Sequence, residues 1–311
     1  MNYDIFGDIH GQADKLIQLL EKLGYRKENN CYQKAGHQAI FVGDFIDRGT
    51  GQKAVIDIVR PMIDNKKALA IMGNHEFNAI CYHTKNSDSS SSYLRPHSEK
   101  NKKQHLAFLN EYPLNSPETN ELIDWFKSLP LYLELDDFRV IHACFDQQII
   151  DDLKLNNFLT DDNCLLDSCY HEASTKGTIL YEAIEVLLKG KEILLPTGMS
   201  FRDKDGNERH EIRIKWWENS LKTYQEATVL KIKSLSEAPD INIPEKHIIN
   251  GYLATEKPVF FGHYWFSGKP ERISENVACL DYSAGNGGAL IAYQWMKGSL
   301  EINNDSFISS E

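Results

Sequence analysis

Residues 43–49 of the chain read GDFIDRG, and they directly follow an apolar run, AIFV, at residues 39–42. A short apolar run bounded by turn residues is typical of a buried strand. The Gly-Asp pair therefore places a carboxylate, Asp44, where the predicted strand ends, and Asp47 and Arg48 follow in the same loop. A solvated surface loop can have this composition by chance, so its meaning depends on the segments before and after it.

Two other predicted strands end in the same way. Residues 3–6 (YDIF) run into GDIHG at 7–11, and residues 68–72 (ALAIM) run into GNHE at 73–76. Each lies about one βαβ unit from the central stretch, and such units build parallel sheets. In parallel sheets covered by helices, sites form at the carboxyl ends of the strands. The pattern therefore brings carboxylate, amide and imidazole groups to one edge of a sheet: Asp8, His10, Asp44, Asn74 and His75.

Two later apolar runs end in histidine. Residues 138–141 (FRVI) lead into His142, and residues 259–261 (VFF) lead into a glycine followed by His263. A mixed oxygen and nitrogen donor set without thiolate suits Mn, Fe or Zn, and this set is large enough for two ions. Asp44, on the middle strand, is the natural bridge between them. A two-metal site of this kind activates water and holds phosphoryl oxygens.

The motifs GDIHG, GDFIDRG and GNHE, in this order and at this spacing, resemble those of the calcineurin-like metallophosphoesterases. Within that family they resemble the phosphoprotein phosphatase branch, which includes bacterial diadenosine-tetraphosphatase-like and serine/threonine phosphatase-like enzymes. The three motifs together are very specific, and His142 and the tail at 262–290 extend the match. The resemblance implies an α/β fold in which two mixed β-sheets are sandwiched by helices, with a largely helical insertion.

The resemblance also implies a domain organisation, a single metallophosphoesterase domain over residues 1–311. Residues 84–105, which include a serine-rich stretch at 86–92, are expected to form a flexible insertion, with a lid over the site as the alternative. Residues 145–256 are expected to form an insertion that shapes substrate access.

The metal ligands implied by the resemblance are six residues from five strand ends. They would hold two divalent ions, for which we expect manganese, with iron, zinc or nickel as alternatives. Each has a plainer explanation, as a helix cap, a turn residue or a core histidine, but the repeated context at strand ends disfavours it. The six are Asp8, His10, Asp44, Asn74, His142 and His263.

Three further residues receive catalytic roles from the resemblance. His75 would protonate the leaving oxygen, and Asp47 would orient its imidazole and raise the imidazole pKa. Arg48 would bind the phosphate through two parallel hydrogen bonds. Glu76 is expected to accept hydrogen bonds and not to take part in the reaction.

Substrate contacts are also expected from Asn74 and from a second arginine in the insertion. We choose Arg202 for this role. Arg209 and Arg213 are open alternatives, because the resemblance does not single out one of the three, and a surface position is the plainer explanation for each.

The Asp47-Arg48 and His75-Glu76 pairs resemble the protein phosphatase pattern, so we expect hydrolysis of phosphomonoesters by a protein phosphatase-like enzyme. Its substrate would be a phosphorylated protein or a small phosphate ester. The first alternative is a dinucleoside polyphosphate hydrolase of the diadenosine tetraphosphate type. The second alternative, from a different class, is a non-catalytic, metal-bound interaction scaffold.

The composition limits partners and location. The 311 residues carry a formal net charge of −11, whereas duplex nucleic acid needs clustered lysine and arginine, so no such partner is expected. No apolar run approaches the roughly 20 residues of a membrane span, so no membrane contact is expected. The first residues enter a predicted strand directly and suggest no signal peptide. The six cysteines form no CxxC pair, which favours reduced thiols and a cytoplasmic location.

Secondary structure between the motifs follows from hydrophobic spacing. Helices are predicted over 12–23, 52–62 and 177–188, and a hairpin over 131–141 is predicted to deliver His142. Pro61 lies near the end of the second helix and should kink it or frustrate its last turn.

Overall fold

The structure is a computed structural model. It describes residues 1–86, 92–202, 206, 208–230, 232–238, 240–244 and 251–311. These residues form two compact units, each with its own apolar core. The first unit comprises Met1–Leu188 and Lys257–Glu311, and the second comprises Lys189–Glu256.

The strands are short, mostly three to five residues, and are numbered along the chain. They are β1 (Asn2–Phe6), β2 (Arg26–Glu28), β3 (Cys31–Gln33), β4 (His37–Phe41), β5 (Ala68–Ala70), β6 (Tyr132–Glu134), β7 (Arg139–Ile141), β8 (Glu192–Leu194), β9 (Phe201–Arg202), β10 (Glu208–Arg209), β11 (Glu211–Arg213), β12 (Val259–Phe261), β13 (Val277–Cys279), β14 (Ile291–Trp295) and β15 (Phe307–Ser309).

The α-helices are numbered in the same way. They are α1 (Ala13–Lys22), α2 (Gln52–Asp64), α3 (Asn74–His83), α4 (Glu99–Gln104), α5 (Leu106–Glu111), α6 (Pro117–Lys127), α7 (Gln147–Leu155), α8 (Tyr170–Ala173), α9 (Ile179–Lys189), α10 (Tyr224–Ala227) and α11 (Lys233–Ser236). Among the described residues, none of these helices is long and apolar enough to cross a membrane.

The first unit contains two mixed sheets, which confirms the predicted fold class. One has the strand order β15-β14-β1-β4-β5. In it β1, β4 and β5 are parallel, β14 is antiparallel to β1, and β15 is antiparallel to β14. The other has the order β13-β12-β7-β6, with β7, β12 and β13 parallel and β6 antiparallel. Strands β6 and β7 form the predicted hairpin.

The core of the first unit joins residues of both sheets. Ile5 and Ile40 from one sheet and Phe260 from the other are fully buried in one cluster. The rings of Phe260 and Trp295 pack edge to face, with centroids 5.8 Å apart. On β1, Asp4, Ile5 and Phe6 are all buried, as expected for a strand whose sheet is covered on both faces. The parallel strands therefore end beside one another at a fixed edge.

For Pro61 in helix α2, the frustrated last turn that was predicted is not observed, and the kink stays a prediction. The helix continues beyond the proline to Asp64 and does not fail in its last turn. The carbonyl of Pro61 still accepts the backbone N–H of Asn65 at 3.1 Å, so the ring removes one donor and leaves the next hydrogen bond of the helix intact.

The predicted insertion at 84–105 is described only in part. Residues 87–91, most of the serine-rich stretch, lie outside the described residues. In the remainder, the ring of His97 stacks between Tyr82 and Tyr93, with centroid distances of 3.9 and 4.1 Å. The flexibility of this segment stays a prediction.

The second unit contains two antiparallel strand pairs, β8 with β11 and β9 with β10, and the one-turn helices α10 and α11. Its core includes Ile193, Ile212 and Leu235. This unit is shorter than the predicted insertion at 145–256, whose earlier part contains α7, α8 and α9. A role of this segment in substrate access stays a prediction.

Candidate active site

Five strand ends bring polar side chains together in the first unit. Asp8 follows β1, Asp44 follows β4, Asn74 begins the helix after β5, His142 follows β7, and His263 follows β12. All five are buried. The predicted convergence at the carboxyl ends of the parallel strands is therefore present in the structure.

One candidate metal group consists of Asp44, His142 and His263, whose ligand atoms lie within 4.8 Å of one another. His142 Nε2 lies 3.4 Å from Asp44 Oδ2. Asn74 Oδ1 lies between the two imidazoles, 3.1 Å from His142 Nε2 and 2.7 Å from His263 Nδ1. Four of the six predicted ligands thus surround one point.

A second candidate group consists of His10, Asp44 and His75, again with ligand atoms within 4.8 Å. His10 Nε2 lies 3.5 Å from Asp44 Oδ2 and 4.0 Å from Asp8 Oδ2. Asp44 therefore belongs to both groups, as expected of a residue that bridges two ions.

Two atoms that are buried in this cluster could each ligate a metal ion and have no hydrogen-bond partner among the described residues. They are Asp8 Oδ1 and His10 Nε2. The other ring nitrogen of His10 is held by the carbonyl of Ile46 at 3.1 Å, which leaves Nε2 for a ligand. A Cβ at Gly262 would overlap Asp8 Oδ1, so the glycine makes room for this carboxylate. Buried polar atoms without partners are costly, and divalent cations would satisfy both.

The backbone of the site is strained at the residues that carry its chemistry. Positive φ angles occur at His10 (49°), Asp44 (51°), Asp47 (68°), Arg48 (66°) and His263 (71°). Such angles cost non-glycine residues about 1–3 kcal/mol each and persist only where the surroundings enforce them. The backbone N–H of His10 donates to the carbonyl of Asp44 at 2.8 Å, so the first two motif loops hold each other in place.

Glu76 fixes the loop of Asp44 from the first turn of α3. Its carboxylate accepts the backbone N–H groups of Asp44 and Phe45, both at 2.8 Å, and of Gly73 at 2.9 Å. The N–H of His75, at the start of the same helix, donates to Asp44 Oδ1 at 2.9 Å. Glu76 therefore accepts hydrogen bonds, and the N-terminus of α3 holds the carboxylate shared by both groups.

His75 and Asp47 form the expected pair. His75 Nδ1 lies 2.5 Å from Asp47 Oδ2. Burial lowers the pKa of His75, but the carboxylates of Asp44 and Asp47 outweigh it and the net pKa is raised. Burial would raise the pKa of Asp47, yet its hydrogen bonds from His105 and His75 lower it. His105 was not predicted from the sequence, because it lies in a segment without a motif.

The ligand-type residues have strongly shifted pKa values. Burial raises the pKa of Asp8, with the Asp281 carboxylate adding to it, and burial lowers the pKa of His10 to about 3. Burial opposes ionisation of Asp44 and His142, but their mutual attraction holds the pKa of Asp44 well below its usual range and raises that of His142 to about 10. Metal ligation would require neutral imidazoles and release protons.

Arg48 lies exposed beside the cluster. Its guanidinium carbon is 4.1 Å from the centroid of the Trp265 ring, and the same ring stacks on His10 with centroids 5.6 Å apart. The backbone N–H of Trp265 donates to the buried carboxylate of Asp281 at 2.7 Å. Trp265 was not predicted from the sequence, although an aromatic residue two positions after His263 was a usable signal.

Arg202 belongs to the second unit. It is exposed and donates a hydrogen bond to the carbonyl of Gly206 at 2.8 Å. Arg213 of the same unit forms an ion pair with Glu192 at 3.2 Å. The choice among Arg202, Arg209 and Arg213 as a phosphate-binding residue stays a prediction.

Residues 1–219, which are more than half of the chain, match the calcineurin-like phosphoesterase family. The chain belongs to this family. The match includes four of the five strand ends that build the cluster, and His263 lies beyond it.

Among its relatives, this calcineurin-like phosphoesterase is similar to the asymmetrical bis(5′-nucleosyl)-tetraphosphatase PrpE of Oceanobacillus iheyensis, with 32% identity over 153 residues. These are 48% of this chain and 59% of that protein, so the match covers less than two thirds of the relative. The symmetrical bis(5′-nucleosyl)-tetraphosphatase of Vibrio campbellii is 24% identical over 300 residues, 94% of each chain.

Among solved structures, the chain is similar to a protein serine/threonine phosphatase from Saccharomyces cerevisiae. The identity is 16% and the TM-score is 0.49, over 99% of this chain and 78% of that one.

Proposed function

We propose that the protein is a phosphoric ester hydrolase that works with two divalent metal ions. The observation that carries the proposal is the position of Asp44, whose carboxylate belongs to two candidate metal groups beside the His75 and Asp47 pair. Membership of the calcineurin-like phosphoesterases supports it.

The ions would be held by the six predicted ligands, and manganese is the ion we propose because the donors are oxygen and nitrogen only. When bound, two such ions supply an activated water and neutralise charge on the phosphoryl oxygens. The six residues are Asp8, His10, Asp44, Asn74, His142 and His263.

His75 would act as the general acid. A carboxylate only accepts hydrogen bonds, so His75 Nδ1–H donates to Asp47 and the opposite nitrogen, Nε2, remains to protonate the leaving oxygen. Arg48, supported by the face of Trp265, would bind the phosphate and hold its charge.

Phosphomonoesters are the substrates that we propose first, as in a protein phosphatase-like enzyme. Alkoxide and phenoxide leaving groups need a proton, and an imidazole paired with a carboxylate is suited to supply it. The substrate would then be a phosphorylated protein or a small phosphate ester. A scaffold without activity is disfavoured, because the acid pair and both metal groups are all assembled.

Dinucleoside polyphosphates are the second candidate substrates. Both relatives reported above are named bis(5′-nucleosyl)-tetraphosphatases. The same cluster could cleave a phosphoanhydride, whose phosphate leaving group depends less on an acid. The cytoplasmic location and the absence of duplex nucleic acid and membrane partners stay predictions.

The test is a titration of metal-depleted protein with Mn²⁺, with p-nitrophenyl phosphate, a phosphopeptide mixture and diadenosine tetraphosphate assayed side by side. We expect metal-dependent turnover that is higher for the phosphopeptides than for the dinucleotide. A preference for the dinucleotide would favour the second candidate. Two bound ions without hydrolysis of any of the three would contradict the proposed activity. Asp44→Asn is the control, since it should lose activity with every substrate.

A further inference from the structure

The carboxylate of Asp47 is shared by two imidazoles, one on each oxygen. Oδ2 lies 2.5 Å from His75 Nδ1, and Oδ1 lies 2.9 Å from His105 Nδ1. Asp47 is 2% exposed and His105 is 5% exposed, so water does not readily replace either hydrogen bond. Because a carboxylate only accepts, both Nδ1–H groups donate to it.

His105 is itself held from two sides. Its Nε2 lies 3.3 Å from His83 Nε2. Its ring stacks on Phe108 with a centroid distance of 4.6 Å and an interplanar angle of 19°. The ring therefore has little freedom to turn away from Asp47.

These contacts link the two ends of α3. His75 lies in the first turn of this helix and His83 is its last residue. The hydrogen bonds run from His75 through Asp47 and His105 to His83. The side chain of Asp47 is thus tied to both ends of one rigid element, while its backbone N–H donates to Gln52 Oε1 at 2.7 Å.

We propose that His105 is a positioning residue for the general acid, which orients Asp47 so that its second oxygen holds His75. This inference rests on the proposed function. A carboxylate with one donor can turn about its terminal bond, whereas a donor on each oxygen fixes its plane. Displacement of a catalytic group by about 1 Å can cost about a hundredfold in rate.

The role predicts a dependence on the leaving group. Phenyl phosphate needs the acid, and p-nitrophenyl phosphate needs it much less. In His105→Phe the ring and its stacking on Phe108 are kept, and the donor to Asp47 is lost. We expect kcat for phenyl phosphate to fall roughly ten- to a hundredfold, with a small change for p-nitrophenyl phosphate and unchanged metal content.

Two further variants make the test specific. His105→Asn places an amide N–H near the position of Nδ1 and should restore the ratio of the two kcat values. His97→Phe is the matched control, because His97 is an exposed ring of the same segment that stacks on Tyr82 and, among the described residues, forms no hydrogen bond or ion pair with Asp47. Its ratio should equal that of the wild type.

A wild-type ratio in His105→Phe would overturn the inference, and so would an equal loss with both substrates, which indicates a merely structural role. Should His105→Phe fail to fold, His105→Asn and His105→Gln decide, because only asparagine matches Nδ1 and only it should keep the ratio. Equal ratios in these two variants would contradict the proposal.

An observation that does not need turnover separates this inference from the proposed activity. In metal-depleted protein, the imidazole N–H protons of His75 and His105 should give two downfield NMR signals. His105→Phe should remove one and shift the other. An unshifted His75 signal would overturn the positioning role even if the wild-type protein hydrolysed none of the substrates.

Discussion

At the scale of single residues, the partner of one ring nitrogen decides what the other nitrogen can do. The Nδ1 atoms of His10 and His142 face the carbonyls of Ile46 and Val42, at 3.1 and 2.8 Å. The Nδ1 of His75 faces a carboxylate, which favours the imidazolium. His75 lies within the same 4.8 Å group as His10 and Asp44, so proximity alone does not separate an acid from a ligand.

The acid role that we propose for His75 predicts a selective loss of activity. In His75→Ala, kcat for phenyl phosphate should fall about 10²- to 10⁴-fold, and less for p-nitrophenyl phosphate, since a positioned acid contributes that much. Metal content, measured by plasma emission, should stay at the wild-type level. His142→Ala is the comparison and should lose metal. Loss of metal from His75→Ala would indicate that His75 is a metal ligand.

Arg48 should contribute to both binding and turnover. Hydrogen bonds to charged groups contribute about 1.5–3 kcal/mol, so Arg48→Ala should lower kcat/KM roughly ten- to a hundredfold, with KM raised and kcat lowered. Arg60→Ala, which removes a surface ion pair with Glu121, is the control and should change neither constant. Steady-state kinetics that left Arg48→Ala unaffected would remove it from the phosphate site.

At the scale of elements, α3 organises the site because its first turn supplies donors and an acceptor to the loop after β4. Three backbone N–H groups converge on the Glu76 carboxylate, which is fully buried. The helix thereby offsets part of the strain at Asp44, whose left-handed backbone would otherwise relax.

Glu76→Gln should weaken these hydrogen bonds between α3 and the loop after β4. The amide presents an NH₂ group to at least one backbone donor, and an unsatisfied buried donor costs about 1–3 kcal/mol. The free energy of unfolding in urea should fall by that amount. Glu118→Gln, at an exposed ion pair with Lys53, should stay within about 0.5 kcal/mol of wild type. Equal stability of both variants would show that Glu76 is dispensable.

At the scale of the whole molecule, the candidate metal ligands come from both sheets of the first unit. Asp8, Asp44 and Asn74 follow strands of one sheet, and His142 and His263 follow strands of the other. The groups meet only when the two sheets pack on their common core, so metal binding and folding should be coupled.

Mn²⁺ should therefore stabilise the fold. At free metal 100 times above Kd, each site adds about 2.7 kcal/mol to the free energy of unfolding, and Tm should rise accordingly. Scanning calorimetry with and without EDTA measures this. Asp44→Asn keeps the shape and loses the shared charge, so most of the rise should disappear. An identical Tm in both conditions would argue against resident ions.

The sequence by itself determined which polar residues follow the strands of the parallel sheets, together with the helices and strands next to the motifs. An apolar run followed by Gly and a polar residue is a local signal, because it depends only on residues that are neighbours in the sequence. Asp8, Asp44 and Asn74 were predicted from it and do lie together. The separation of residues 189–256 as a second unit had no comparable signal.

Only the tertiary structure decided what holds those residues in place. His105 reaches Asp47 across 58 positions, and Glu76 reaches the N–H of Asp44 across 32. Trp265 meets Arg48 from the far end of the chain. No period or motif identifies the partners in these contacts, because they arise when packing of the two sheets and α3 brings distant loops close together. The supporting contacts of this site are therefore a property of the folded chain.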